Sequence, residues 1–349
     1  MSALLKIGVI GLGRMGQLYA RMLATQVSGV QLYAVAETGG QTRAQVGDEL
    51  GVSHTFADAL ELIALPELDA VVIATPTSTH HDLVIAAANA GKAIFCEKPL
   101  ALTLAENHEV LAAVARAQVP LQVGFMRRFD AAYQRAKKMI ADGQIGSPVT
   151  FKALSRDPFC PPRGYMDPAK NGGLILDMAI HDFDLARWLM GSEVERVTAE
   201  GTVLVCKDLE SAGDIDNAVI NLRFVNGALG NVEVSRNAFY GYDIRTEVLG
   251  SEGAVMVGAH QYTPVVLLTR AGAQYDVMPY LMERFGDAYR TQLQHFVDCL
   301  HNAQSPAVSG AEALAACEIG VAATLAYQAG RPVSISEFRR SSPGSKVGG

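Results

Sequence analysis

The chain has 349 residues, a length that favours about two domains, and it carries a net charge of −7 at pH 7. An acidic chain is a poor partner for nucleic acid or for an anionic membrane, so neither is expected as a main partner. Hydrophobic residues make up 49% of the chain and charged residues 19%, which supplies ample material for a packed core.

Five cysteines are scattered along the chain without a C-x-x-C motif, at positions 96, 160, 206, 299 and 317. An odd, unpatterned count indicates reduced thiols in a cytoplasmic protein. The first residues show no signal-peptide pattern, and we expect no apolar run long enough to span a membrane. Residues 336–349 are rich in Ser and Gly and are expected to form a C-terminal tail.

Two patterns of predicted elements divide the chain. Over residues 1–124 strands alternate with helices, which predicts an α/β Rossmann domain with a doubly wound parallel sheet. Over residues 125–335 several strands follow one another, which predicts an α+β domain with an open, mostly antiparallel sheet. The predicted strands are 4–10, 30–36, 69–74, 93–96, 121–124, 149–156, 197–206, 217–224, 230–235, 244–249 and 254–257; the predicted helices are 17–26, 42–50, 56–64, 81–90, 104–117, 131–141, 287–301 and 311–329.

A glycine turn links the first predicted strand to the first helix. Gly11 permits a tight turn, Gly13 lets the backbone approach a pyrophosphate, and Gly16 lets the helix pack on the strand. Arg14 and Met15 lie in the same turn, where free N–H groups of the helix favour phosphate. The turn therefore predicts a dinucleotide site, although a plain glycine-rich turn is the alternative.

Residues at the carboxyl ends of later strands extend this site. Glu37 lies about 20 residues beyond the glycines, where an acid binds the ribose hydroxyls of NAD and repels the 2′-phosphate of NADP; Arg43 nearby weighs against that preference. Thr75, Pro76 and Thr77 follow the strand 69–74 and are expected at the cofactor, since ligands bind at this edge of α/β sheets.

Glu97 and Lys98 close the strand 93–96. A lysine at this edge can hydrogen-bond a substrate hydroxyl, while a surface turn lysine is the alternative. Pro99 is a candidate cis proline. His80 and His81 are adjacent and would diverge on a helix, and no second ligand pair accompanies them, so no metal is predicted.

The segment 172–184 holds the most informative polar spacing. Asp177 lies four residues before His181 and seven residues before Asp184. This spacing places all three on one face of a regular helix. A histidine with a carboxylate one turn behind it is typical of a general base with an orienting group. The alternative is a half-buried histidine with a nearby N-cap aspartate.

These motifs resemble the glucose–fructose oxidoreductase / inositol dehydrogenase (Gfo/Idh/MocA) family over nearly the whole chain. The resemblance rests on the glycine turn, residues 74–80, residues 97–99 and the helix of Asp177 and His181. Segments 124–130, 155–158, 176–184 and 240–243 are most similar to the inositol 2-dehydrogenase group within it. Glu37 departs from the more usual aspartate but keeps the charge.

The resemblance implies NAD as cofactor, a polyol substrate and a homotetramer assembled through the C-terminal sheets, one face of which has no helices to cover it. It implies catalytic roles for Lys98, Asp177 and His181. The implied cofactor contacts are Gly11, Gly13, Arg14, Met15, Glu37, Thr75, Pro76, Thr77, His80, Glu97 and Lys98. The implied substrate contacts are Lys98, Met126, Arg127, Asp157, Asp177, His181 and Tyr240.

The expected reaction is oxidation of a ring secondary alcohol of an inositol to the 2-keto-inositol. Hydride passes to the nicotinamide, His181 takes the hydroxyl proton, and Lys98 hydrogen-bonds the same oxygen. One alternative is an aldose or sugar dehydrogenase on the same scaffold. Another is a non-catalytic dinucleotide-binding regulator, which would be expected to lose Lys98 or His181. A zinc alcohol dehydrogenase is not expected, because the Cys and His spacing lacks a metal cluster.

Overall fold

A computed structural model describes residues 3–258 and 260–339, in which the chain forms two compact units. The first unit comprises the residues up to Phe129 together with Asp287–Leu314. The second unit comprises Asp130–Gly286 and the residues from Ala315 onward. Each unit contains one large sheet.

The first unit is built from alternating strands and helices. Its strands are β1 (Leu5–Ile10), β2 (Val30–Ala36), β3 (His54–Phe56), β4 (Ala70–Ile73), β5 (Ala93–Cys96) and β6 (Leu121–Val123), and its N-terminal helices are α1 (Arg14–Thr25), α2 (Gly40–Leu50), α3 (Ala59–Ile63), α4 (His80–Asn89) and α5 (Leu104–Ala117). The strands are parallel in the order β3-β2-β1-β4-β5-β6, which is the order of the doubly wound dinucleotide-binding fold. Strands β4 and β5 are buried throughout, as expected for a sheet covered on both faces.

The second sheet has seven strands and is mainly antiparallel. The remaining elements are α6 (Ala131–Ala141), β7 (Pro148–Arg156), α7 (Pro168–Asn171), α8 (Ile180–Met190), β8 (Val194–Thr202), α9 (Asp208–Ala212), β9 (Asn217–Phe224), β10 (Leu229–Ser235), β11 (Asp243–Gly250), β12 (Ala254–Val257), β13 (Gln261–Thr269), β14 (Gly272–Val277), α10 (Leu281–His301), α11 (Gly310–Ala329), β15 (Val333–Ser334) and α12 (Ser336–Arg339). The sheet order is β12-β11-β7-β10-β9-β8-β15, and β7 with β10 is its parallel pair. Burial alternates along β9, so one face of that strand packs inward and the other is open.

Several elements differ from the sequence-based expectation. The region 56–64 was predicted as one helix, but β3 ends at Phe56 and α3 begins only at Ala59. The hairpin of β13 and β14 was not predicted, because its residues are largely exposed and lack clean alternation. Within the expected tail, 336–339 are helical, and residues 340–349 lie outside the described residues.

The expectation of five reduced thiols is wrong for one pair. Cys160 and Cys206 form a disulfide although they are 46 residues apart, since the fold brings their Cα atoms within 5.6 Å. The spacing in the sequence carries no sign of this contact. Met166 and Leu209 pack around it in a small apolar cluster. The other three cysteines are buried and are not part of a disulfide.

Helix α11 is long and apolar enough to cross a membrane, by length and composition only. The expectation that no run reaches this length is wrong for this helix. However, 56% of it is buried within the protein, which is the environment of a core helix.

Candidate functional site

The glycine turn has the geometry that its motif requires. Strand β1 ends at Ile10 and helix α1 begins at Arg14. A Cβ on Gly16 would lie 1.7 Å from the carbonyl oxygen of Gly11, so only glycine fits there. A Cβ on Gly13 would meet nothing within 4 Å, and Gly13 and Arg14 are exposed. The backbone at the start of α1 is therefore open to a phosphate group.

The Glu37 carboxylate is fixed beside this turn by hydrogen bonds. Its Oε2 accepts from the Leu12 N–H at 2.7 Å, and its Oε1 accepts from the Gly39 N–H at 2.9 Å and the Thr38 hydroxyl at 3.1 Å. Partial burial alone would raise the pKa of Glu37, but these donors hold it below its ordinary value. The residue is thus an anion at the end of β2, as a ribose ligand must be.

His80 connects the loops that follow β4 and β5. Its Nδ1 lies 2.8 Å from the carbonyl oxygen of Pro99, and its Nε2 lies 3.0 Å from that of Thr75. Burial lowers the pKa of His80, although the two carbonyls favour the charged form. A neutral ring donates to one of these two oxygens. The Lys98–Pro99 peptide bond is cis.

A buried network supports the backbone at Lys98. Glu97 Oε2 accepts from the Lys98 N–H at 3.1 Å, and Glu97 Oε1 accepts from the Tyr19 hydroxyl. The Gln292 side-chain amide donates to the same hydroxyl at 2.9 Å. Burial, followed by the Glu97 charge, raises the pKa of Tyr19 well above its ordinary value. Sequence reasoning missed Tyr19 and Gln292, because nothing local marks them as partners of Glu97.

The remaining site candidates of the first unit lie in two loops. Thr75, Pro76 and Thr77 lead from β4 into a short 3-10 turn, and Thr77 is buried. Met126 and Arg127 begin the 3-10 turn Met126–Phe129, and both are buried.

Asp177 lies in an irregular part of its helix. The stretch Ile175–Ala179 is π-helical and leads into α8, which begins at Ile180 and carries His181. A π-helix closes its hydrogen bonds over five residues, so the placement of Asp177, His181 and Asp184 on one face of a regular α-helix does not carry over. Turns of this kind occur often at functional sites. Asp177 and His181 are buried, with 8% and 9% of their surface exposed.

Two side chains from distant segments hold the Asp177 carboxylate. The Tyr165 hydroxyl donates to Oδ1 at 3.0 Å, and Arg236 Nη2 donates to Oδ2 at 3.2 Å. The ion pair is buried, since the side chains of Arg236 and Asp177 are 3% and 11% exposed. Sequence reasoning singled out neither Tyr165 nor Arg236.

Asp157 and Arg236 follow the parallel strands β7 and β10, so both stand at the carboxyl ends of neighbouring strands. The Asp157 N–H donates to the Ser235 carbonyl at 2.9 Å, and the Asp157 carbonyl accepts from the Ala238 N–H at 2.9 Å.

Tyr240 lies further along the chain and is 47% exposed. Its hydroxyl donates to Asp243 at 2.7 Å and accepts from Arg156 at 2.9 Å.

The structure therefore gathers two groups of candidate residues, one in each unit. In the first, Glu37 joins the glycine turn, while Glu97, Lys98 and His80 meet around Pro99. In the second, Asp177 is held beside the end of β10, and His181 follows on α8. Among residues 3–258 and 260–339, no three His, Cys, Asp or Glu side chains are grouped so that they would hold a metal ion.

Comparison with known proteins agrees with this arrangement. Residues 5–125 match the family model for the NAD-binding Rossmann fold of the Gfo/Idh/MocA oxidoreductases, and residues 137–335 match the model for their C-terminal alpha/beta domain. The chain therefore belongs to the Gfo/Idh/MocA oxidoreductase family. The predictions of this family, of a Rossmann domain followed by an α+β domain, and of an NAD-dependent oxidoreductase are confirmed.

The similar proteins include inositol dehydrogenases. The scyllo-inositol 2-dehydrogenase (NAD(+)) of Bacillus subtilis is 41% identical over 96% of this chain and 97% of that protein. The myo-inositol 2-dehydrogenase of Thermotoga maritima is 41% identical over 95% of this chain and 99% of that protein. The crystal structure of scyllo-inositol dehydrogenase from Lactobacillus casei, with NAD(H) and scyllo-inositol bound, matches with a TM-score of 0.91 at 29% identity, covering 95% of this chain and 99% of that one.

Proposed function

We propose that this protein oxidises a ring secondary alcohol of myo- or scyllo-inositol to the 2-keto-inositol with NAD. The observation that carries the proposal is the buried Asp177 carboxylate, held by two donors and followed by His181, in a chain 41% identical to two inositol 2-dehydrogenases. A fixed acceptor of this kind suits a substrate that presents several hydroxyl groups. It discriminates between ring isomers because the wrong isomer leaves a buried polar group without a partner.

The cofactor would be held by residues of the first unit. The open backbone at Gly13 and Arg14, in the turn that also contains Gly11 and Met15, fits the pyrophosphate, and the anionic Glu37 fits the ribose hydroxyls. Thr75, Pro76, Thr77, His80, Glu97 and Lys98 would complete the cofactor side. When bound, NAD accepts the hydride; the protein supplies position and charge. An anionic Glu37 also favours NAD over NADP, since it repels a 2′-phosphate.

The proton chemistry falls to three side chains. His181 would take the proton of the reacting hydroxyl, because imidazole exchanges protons near neutral pH. Lys98 would donate a hydrogen bond to the same oxygen and stabilise its developing negative charge. Asp177 would accept a hydrogen bond from a neighbouring hydroxyl. Other substrate contacts would come from Met126, Arg127, Asp157 and Tyr240.

The test is NADH formation with NAD and a panel of myo-inositol, scyllo-inositol, D-chiro-inositol, D-glucose and D-xylose. The proposal expects an inositol to give the highest kcat/KM. An aldose as the best substrate would overturn the inositol assignment and make the chain a sugar dehydrogenase. If NAD binds but no compound of the panel reacts, the chain is better explained as a dinucleotide-binding regulator.

We also propose a cytoplasmic homotetramer assembled through the sheets of the second unit. Its support is a set of exposed apolar side chains on that sheet and on the β13–β14 hairpin: Val219, Leu229, Leu249, Met256, Val265, Val266, Leu267 and Leu268. Surfaces of this kind mark protein interfaces. A monomer in light scattering at micromolar concentration would contradict the tetramer, and recovery in a membrane fraction would contradict the location.

A further inference from the structure

We propose that Tyr165 and Arg236 are positioning residues that hold Asp177 as a fixed, anionic hydrogen-bond acceptor for a substrate hydroxyl, leaving proton transfer to His181. The inference rests on the proposed function and adds two residues to it. Both carboxylate oxygens accept from the protein: the Tyr165 hydroxyl donates to Oδ1 and Arg236 Nη2 donates to Oδ2. An ionised carboxylate has about four acceptor sites, so it can accept hydrogen bonds from several groups at once.

The segment that carries Tyr165 is fastened to the second unit at several points. The disulfide to Cys206 fixes Cys160, and the Asn171 amide donates to the Tyr165 carbonyl at 2.6 Å. An exposed ion pair joins Arg163 to Asp208 at 3.2 Å. Because the backbone on both sides of the ring is held, the Tyr165 hydroxyl is preorganised toward Asp177 even though 46% of the residue is exposed.

Arg236 reaches Asp177 from the end of β10. Its backbone N–H donates to the Asp216 carbonyl at 2.9 Å, and its guanidinium lies 5.9 Å from the centre of the Tyr165 ring. Within the described residues, the Nε of Arg236 has no hydrogen-bond partner. The guanidinium contacts a charged group through Nη2, which donates to the Asp177 carboxylate. A buried arginine needs an anionic partner, and Asp177 is the carboxylate in direct contact with Arg236, at 3.2 Å.

The charged and titratable groups around Asp177 favour this division of roles. They include Tyr165, Arg236, Asp214 and the following His181. Asp214 accepts from the Leu174 N–H at 2.9 Å, and burial raises its pKa, with the Asp177 charge adding to the effect and Arg236 opposing it. Of the two carboxylates, Asp177 therefore has the direct ion pair and keeps the negative charge. A carboxylate held as an anion accepts hydrogen bonds and makes a poor proton acceptor.

Tyr165→Phe tests the inference with little risk to folding, since the ring stays and only the hydroxyl is removed. We expect kcat/KM for the preferred substrate to fall about tenfold or more, mostly through KM, because an Asp177 that is held less firmly binds the substrate hydroxyl more weakly in the ground state and in the transition state alike. The KM for NAD should not change. Tyr327→Phe, on α11, is the matched control and should retain the wild-type values.

Arg236→Lys and Arg236→Gln separate the charge from the packing. We expect Lys to retain much of the activity. Gln should also move the acidic limb of the kcat/KM profile to higher pH, because Asp177 without its cation protonates more easily. If Gln fails to fold, Tyr165→Phe decides alone.

Wild-type kcat/KM and KM in Tyr165→Phe would overturn the inference. Failure of the proposed function would be seen separately, as a wild-type enzyme that does not prefer an inositol in the substrate panel. The ratio of kcat/KM in Tyr165→Phe to that in wild type is then measured with whichever substrate reacts.

Discussion

The two units each present a carboxylate to a candidate ligand, and they hold it by different means. In the first unit, Glu37 is fixed mainly by backbone N–H groups of Leu12 and Gly39, at 2.7 and 2.9 Å. In the second, Asp177 is fixed by the side chains of Tyr165 and Arg236, at 3.0 and 3.2 Å. The first arrangement depends on the course of the chain, and the second depends on the identity of two distant residues.

This difference has a consequence for what each carboxylate can do. Backbone donors are present whatever the neighbouring side chains are, so Glu37 keeps its charge and position as long as the glycine turn forms. Side-chain donors can be replaced one at a time, so the setting of Asp177 can be tuned by substitutions outside its helix. A cofactor common to a family suits the first arrangement, and a substrate that differs between relatives suits the second.

His181→Ala should produce the largest effect, and it should separate catalysis from cofactor binding. We expect kcat to fall by about 10²- to 10⁴-fold, the range typical for loss of a general base. The dissociation constant for NAD, measured by calorimetry, should stay at the wild-type value, because the cofactor candidates lie mainly in the first unit. Unchanged turnover would remove His181 from the role of base.

The same contrast, between local backbone donors and distant side chains, explains which parts of the site could be predicted from the sequence. The glycine turn and Glu37 were predicted because their requirements are local: a close approach at Gly16 and an acid at the end of the next strand. The hydrogen-bond partners of Asp177 were not predicted, since Tyr165 and Arg236 are 12 and 59 positions away and neither belongs to a recognisable motif. The π-helical turn at Ile175–Ala179 was missed for a related reason, because tertiary packing sets it and residue spacing does not reveal it.

Glu37→Gln should weaken NAD binding by about 10- to 100-fold, the value of a hydrogen bond to a charged group. The ratio of kcat/KM for NADP to that for NAD should rise, because the repulsion of the 2′-phosphate is removed. Thr38→Val is the matched control: it removes a side-chain donor to Glu37 at 3.1 Å and leaves both backbone donors, so NAD affinity should change less than twofold. A large loss in Thr38→Val would contradict the view that the backbone holds Glu37.

Asp214→Asn should produce the smallest effect, and its sign should oppose that of Glu37→Gln. Burial raises the pKa of Asp214, so its protonated form favours the folded state, and stability falls as pH rises from the ordinary carboxyl pKa through the raised one. Asparagine cannot ionise and keeps an oxygen that can accept from the Leu174 N–H. At neutral pH we expect Tm to rise by about 2–4 °C, equivalent to roughly 1 kcal/mol, and the gain to vanish in acid.

For Glu37 the donors lower the pKa, so its contribution to stability is present above the ordinary carboxyl pKa and is lost as pH falls through the lowered one. Glu37→Gln should therefore be less stable than wild type at neutral pH, and that difference too should shrink in acid. Thermal unfolding of both variants and of wild type at a series of acidic pH values measures how Tm depends on pH in each. A loss of Tm in Asp214→Asn at neutral pH that disappears in acid would instead show that Asp214 acts as an anionic partner of Arg236, and Arg236 would then lie between two anions.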